Sequence, residues 1–132
     1  MYVVLRIKKY YSLEFLIHIG KNGKIAELKS QTIILSELDD FLDLIGNANY
    51  QEADKILIHK TNLNPEFFDL KTQIAGDILQ KFSTYNLRLA IIGDFSGFGS
   101  RSLKDFIRES NRMGRILFLN SREEALMRFG LN

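Results

Sequence analysis

Residues 87–107 read LRLAIIGDFSGFGSRSLKDFI, and this stretch decides the fold. From Leu87 to Ile92 the chain is apolar except for Arg88, the composition of a strand whose two faces are both covered, as in a parallel sheet between helices. Gly93, Gly97 and Gly99 follow within seven residues, and then Leu103, Phe106, Ile107 and Ser110 recur at helical spacing. Strand, glycine-rich turn and helix make one unit of an alternating β-α chain.

The neighbouring segments repeat that unit. FFDLKTQIAGDILQKFSTY, from Phe67 to Tyr85, sets Ala75, Ile78, Leu79 and Phe82 on one helical face and Asp77, Gln80 and Lys81 opposite, which predicts a helix. Before it, KILIH (Lys55 to His59) reads as a short strand, with the only proline, Pro65, in the connection that follows. Ser36 stands ahead of ELDDFLDLIGNA, whose acids in the first turn and spaced Leu38, Phe41, Leu42 and Ile45 predict a capped amphipathic helix. Nearer the start, Val3 to Ile7 and Phe15 to Ile19 are strand-like. KNGK at 21–24 carries the Asn-Gly signal of a tight hairpin, which returns along Lys24 to Lys29.

Downstream, RILFL (Arg115 to Leu119) is the last strand, and Ser121 with Glu124 forms the capping box of a helix ending near Phe129. Strand and helix alternation with short connections predicts one α/β sandwich with a mostly parallel mixed sheet of about four to six strands, about four helices and right-handed crossovers. Residues 1–30 form its hairpin region and 31–132 its alternating core.

Composition narrows the function classes. The chain has 132 residues, 45% hydrophobic and 26% charged, which suits a globular domain and excludes a disordered or collagen-like one. It has no cysteine, so disulfides, thiolate metal sites and a cysteine nucleophile are excluded. Arg6, Lys8 and Lys9 break the apolar run at the amino terminus, and no small-residue cleavage site follows, so no secretory signal is read there. No window offers eighteen uncharged apolar residues, so no spanning helix is expected and the reading is cytoplasmic. Net charge is +2, too small for general affinity to nucleic acid, although six of the eight arginines fall at or after Arg101.

The glycine loop has two readings. As a turn, Gly93 and Gly97 permit a tight path and Ser100 or Ser102 caps the helix. As an anion site, the backbone from Gly93 to Ser102 lies beyond a strand's carboxyl end, with Ser96, Gly97, Gly99, Ser100, Arg101 and Ser102 as donors. Nucleotide signatures are absent: Gly97 and Gly99 are followed by Ser100 and Arg101 and not by Gly-Lys-Ser/Thr, and Ser102 stands where the dinucleotide fingerprint has glycine or alanine.

Other catalytic sets are equally thin. His18 and His59, the only histidines, sit in strands without a partner at metal-ligand spacing and read as packed imidazoles, so no metal and no cofactor is expected. Ser96 in Gly-Asp-Phe-Ser-Gly lacks the spacing of a nucleophile elbow. Asp94 is placed to bond its own loop backbone and Asp69 to stabilise a helix start. Lys104, Arg108 and Arg112 form a stripe, but Arg101 with Asp105, Asp105 with Arg108, and Glu109 with Arg112 are opposite charges at helical spacing, the pattern of a solvated face. Phe95 and Phe98 stand out, because a glycine loop seldom carries two aromatic rings unless they fold back or meet a partner.

FFDLKTQIAGDILQKFSTYNLRLAIIGDFS followed by SLKDFIRESNRMGRILFLNSREEAL resembles the bacterial family designated domain of unknown function 4180, from about residue 33 onward, with AGDILQKF, AIIGDF and DFIRESN as its specific stretches. That resemblance implies the fold class and no activity. In element order, and in the strand leading to the Ser-x-x-Glu-Ala-Leu helix, the chain also resembles STAS domains of the anti-sigma-factor antagonist type. Those carry a phosphorylatable serine at a helix start. The matching region here, Phe68 to Gly76, has neither serine of the motif, and Thr72 is its only hydroxyl. That element order, the two rings Phe95 and Phe98, and the lack of a catalytic set together point to a non-enzymatic regulatory module with a protein partner, using Asp69, Thr72, Phe95 and Phe98. The alternative is a binder or enzyme for a small phosphate- or carboxylate-bearing ligand held by Gly93, Asp94 and the loop donors. Nucleic acid and membrane are not expected partners.

Overall fold

The computed structural model describes residues 13–29 and 35–131; the expected strand at Val3 to Ile7 lies outside them. The elements are strands β1 (Phe15–Gly20) and β2 (Gly23–Leu28), helix α1 (Leu38–Tyr50), β3 (Ala53–His59), α2 (Ile74–Thr84), β4 (Arg88–Ile92), α3 (Arg101–Met113), β5 (Ile116–Leu119) and α4 (Arg122–Arg128). The five strands form one sheet in the order β1-β2-β3-β4-β5. The hairpin pair is antiparallel and the other three pairings are parallel. This is the mostly parallel mixed α/β architecture that the alternation predicts.

Strands that add in one direction with crossovers of one hand receive their crossover helices on one face. The side chains agree. Ile56 and Ile58 of β3, Leu89 and Ile91 of β4, and Ile116 and Phe118 of β5 pack with Phe41 and Leu44 of α1 and Ile78 and Phe82 of α2. Phe106 and Ile107 of α3 join them. The alternate residues, Ile25, Leu57, Ala90, Ile92, Leu117 and Leu119, turn to the other face by the two-residue period of a strand. There Ala125 and Leu126 of α4, with Phe129, cover them. A short last helix therefore covers this second cluster, and its end is tied to the hairpin where Lys21 N–H donates to the Gly130 carbonyl at 3.1 Å.

Edge strand β5 is closed by side chains of α3. Asn111 donates to the Phe118 carbonyl at 3.2 Å and accepts from the Phe118 N–H at 2.7 Å, and Ser110 Oγ donates to the Ile116 carbonyl at 2.6 Å. These bonds take up backbone groups that would otherwise template another strand.

Two expected boundaries move. The helix read from Phe67 begins only at Ile74, because Pro65–Phe68 and Leu70–Thr72 form 3₁₀ turns and Gln73 takes a left-handed conformation at φ 63°. Local side-chain bonds compete with the helix: Asn64 accepts from the Glu66 N–H and Asp69 from the Lys71 N–H. Helix α1 starts one residue later than a Ser36 cap would place it, with Glu37 as its cap residue. Asp40 is the group that secures this end, accepting from the Ser36 and Glu37 N–H groups at 2.7 and 3.0 Å.

Candidate functional site

The carboxyl ends of β3, β4 and β5 carry the segments singled out in the sequence. Gly93 follows β4, and its N–H donates to the Leu119 carbonyl at 3.0 Å. A Cβ there would stand 2.6 Å from Cβ of Lys60, so this glycine is required by close approach of the neighbouring segment. Gly97 and Gly99 meet nothing within 4 Å and have no positive φ.

The loop's polar groups bond to one another. Asp94 Oδ1 accepts from the Ser96 N–H at 2.9 Å and the Ser96 hydroxyl at 2.6 Å. Those bonds hold the Asp94 carboxyl below its ordinary range. Lys60 Nζ donates to the Asp94 carbonyl at 2.6 Å. Ser100 caps α3 by accepting from the Leu103 N–H at 3.2 Å, so of the two candidate caps it is Ser100, with Ser102 inside the helix. Arg101 and Ser102 are exposed in the first turn of α3. The donors expected of an anion cradle are thus partly engaged inside the loop, and its own carboxylate sits among them.

The aromatic residues turn back onto the domain. Phe68, at the end of the turn after β3, lies 4.8 Å from Phe98 and 5.9 Å from Phe95 between ring centroids, and Phe95 meets buried Phe118 edge-on at 5.3 Å. Lys60 Nζ stands over Phe98 and Phe95 at 4.9 and 5.6 Å. Phe68, Phe95 and Phe98 are all half-buried. The helix-α2 approach and the glycine loop, distant in sequence, therefore make one continuous surface. Thr72 is exposed beside it, donating to the Asp69 carbonyl at 2.8 Å, while Asp69 caps the 3₁₀ turn before α2. Behind the loop is a cavity of about 690 Å³, with Asp94, Phe95 and Ser96 on one side and Ile107, Phe118 and Asn120 on the other.

On the opposite face, near the same edge, the two histidines meet a single carboxylate. Glu27 Oε1 accepts from His18 Nε2 and Arg122 Nη2, both at 2.8 Å, and its Oε2 accepts from Arg122 Nε at 2.6 Å, with His59 Nε2 at 3.9 Å. Burial on its own would raise the Glu27 pKa; the hydrogen bonds and charges of Arg122 and His18 outweigh it and hold the group below its ordinary value. Arg122 occupies both oxygens, so the cluster is a saturated brace joining β1, β2 and α4. Reading the histidines singly missed it. Its signal was Glu27 inside an apolar strand, and the hairpin register, which pairs His18 with Ile25 and so sets His18 and Glu27 diagonally on one face. Of the three ion pairs expected along α3, Arg108 with Asp105 (3.0 Å) and Arg112 with Glu109 (2.6 Å) form. Among the described residues no group of three acidic or histidine side chains could hold a metal, and no helix is long and apolar enough to cross a membrane.

Fold and edge together describe an α/β domain whose sheet presents its parallel carboxyl ends, with an aromatic loop, on one side. The family model described as Domain of unknown function (DUF4180) matches residues 20–129, and the chain belongs to that family. No curated protein and no solved structure matches it.

Proposed function

We propose that this protein is a non-enzymatic regulatory module, STAS-like in shape and working in the cytoplasm, that binds a protein partner through the carboxyl edge of its sheet. The observation behind this reading is the tilted contact of Phe68 with Phe98 at 4.8 Å, which joins the approach to α2 and the Gly93–Ser102 loop into one aromatic surface. Half-buried rings ringed by Lys60, Asp69, Lys71 and Asp94 have the makeup of a binding hot spot, with apolar anchors at the centre and charge at the rim. The polar groups there bond to one another, the Ser96 hydroxyl to Asp94 at 2.6 Å among them.

Capture of a partner from native lysate by the immobilised protein tests this reading. Phe98→Ala should abolish the captured band and leave the melting temperature within a few degrees, while Tyr50→Ala, exposed on α1, should capture as the wild type does. Equal capture by both variants contradicts the proposal. A second reading, a small-ligand binder, draws on the cavity of about 690 Å³ behind the loop. Thermal shifts with small phosphates and carboxylates that vanish in Ser96→Ala would favour it.

A further inference from the structure

We propose that a second cavity, at the opposite, amino edge of the sheet, binds the phosphoryl group of a small phosphomonoester. This cavity of about 440 Å³ lies where the β1–β2 turn, the starts of β3 and β4, and the end of α3 converge. It shares no residue with the aromatic edge and does not depend on the function proposed for it.

Among the described residues, three cations line this space, Lys55, Arg88 and Arg115, against one carboxylate, Asp54. Lys55 is 6% exposed, which is rare for lysine without full pairing. Its Nζ donates to the Asn22 carbonyl and to Asp54 Oδ1, both at 2.9 Å, two of the three donors of an ammonium. Arg88 is held from behind: its Nε donates to the Gly114 carbonyl at 3.0 Å, and its guanidinium lies 4.9 Å from the Phe129 ring centre. Neither terminal nitrogen of Arg88 has a protein acceptor among the described residues. Arg115 is fixed likewise, with Nη1 on the Leu87 carbonyl at 3.0 Å and on Asn86 Oδ1 at 3.4 Å, which leaves Nε and Nη2 without a protein acceptor among the described residues.

Each guanidinium therefore uses one side to pin a strand end and presents the other without a partner. Positive charge accumulates as a result. Burial, and then the charges of Arg128 and Arg115, push the Arg88 pKa down, and Asp54 offsets them only in part. An anion in the cavity relieves this repulsion, and a phosphoryl dianion suits three cations better than a carboxylate, since each planar guanidinium can face two of its oxygens. The volume exceeds what inorganic phosphate needs and falls within the usual range of small-molecule sites, about 300–1,000 Å³. Asn22 and Asn86 at its wall can bond the hydroxyls of a sugar-sized body.

The test is isothermal titration of the full chain, at constant ionic strength, with ribose 5-phosphate, inorganic phosphate and ribose as probes. Ribose 5-phosphate should bind, inorganic phosphate more weakly, and ribose not at all. Arg88→Gln should weaken ribose 5-phosphate by about tenfold or more, the usual loss for a charged hydrogen-bonding partner, while Lys104→Gln, exposed on α3, should leave it unchanged. Amide chemical shifts need no variant, and on addition of ribose 5-phosphate they should move at Asn22, Asn86 and Gly114. Absence of both heat and shifts at about 10 mM probe, a site of millimolar affinity at best, overturns the proposal. So do shifts confined to residues 93–102, or equal binding by Arg88→Gln.

Discussion

Arg122, the first residue of α4, places two nitrogens on the two carboxylate oxygens of Glu27 in β2, at 2.6 and 2.8 Å across 95 residues of chain. This pair fastens the covering helix to the hairpin side of the sheet, beside the cluster of Ile25, Leu57 and Leu126 that α4 completes. Removing Glu27 leaves a guanidinium without its partner against that cluster. Glu27→Ala should cost about 3 kcal/mol, the low end for a broken buried pair, because the Arg122 side chain is 39% exposed and can rehydrate. Replacing both residues by leucine should recover most of that loss. Urea unfolding of the single and double variants measures it, and a double variant as unstable as the single one would contradict the account.

The same carboxylate gives stability a pH dependence. Its native pKa lies below the ordinary 4.5, so the unfolded chain binds its proton at the higher pH. The contribution is complete above the ordinary value and disappears as pH falls through the native one. Unfolding free energy should thus decline on acidification below about pH 5, and less steeply in Glu27→Gln. Asp94 and Glu109, also held below their ordinary values, keep part of the slope in that variant. Identical slopes in the two proteins would remove Glu27 as a source.

Asn111 closes edge strand β5 with a donor and an acceptor on one backbone residue, Phe118. Asn111→Ala should destabilise by about 1–3 kcal/mol, the cost of unpaired backbone groups, and should raise self-association through the opened edge. Denaturant midpoints and light scattering at rising concentration check the two effects separately.

Two glycines of the loop should behave oppositely. Gly93→Ala drives a methyl against the Lys60 side chain at its root, which cannot swing away, and should cost about 1–3 kcal/mol. Gly97→Ala meets open space at an ordinary φ and should be neutral or stabilising by up to about 1 kcal/mol. Melting curves of both variants decide this. Partner capture by the stable Gly97→Ala protein then separates loop flexibility from loop surface.

Much of the fold was legible because it depends on short-range patterns. The apolar run at Leu87 to Ile92, the spaced residues of α3 and the Ser121 cap each describe their element within a few residues of chain, and the structure forms all three, the last as a one-way cap in which Ser121 Oγ accepts from the Glu124 N–H. The misplaced start of α2 has a local cause as well. Phe67 and Phe68 fit a helical stripe, but Asn64 and Asp69 offer their neighbours' N–H groups competing bonds and Gln73 turns left-handed, so these rings reach the core from 3₁₀ turns.

By itself, then, the order of apolar, glycine-rich and amphipathic segments determined a mixed, mostly parallel sheet between helices, since periodicity and turn chemistry act along neighbouring residues. Only the tertiary structure decided which residues share a site. His18, Glu27 and Arg122 meet because α4 crosses back over the hairpin. Phe68 meets Phe98 because β3 and β4 are adjacent, and Lys55, Arg88 and Arg115 surround one cavity because the same strands start together. Strand neighbours are selected by the closing of the whole core, and no local repeat of residues encodes that choice.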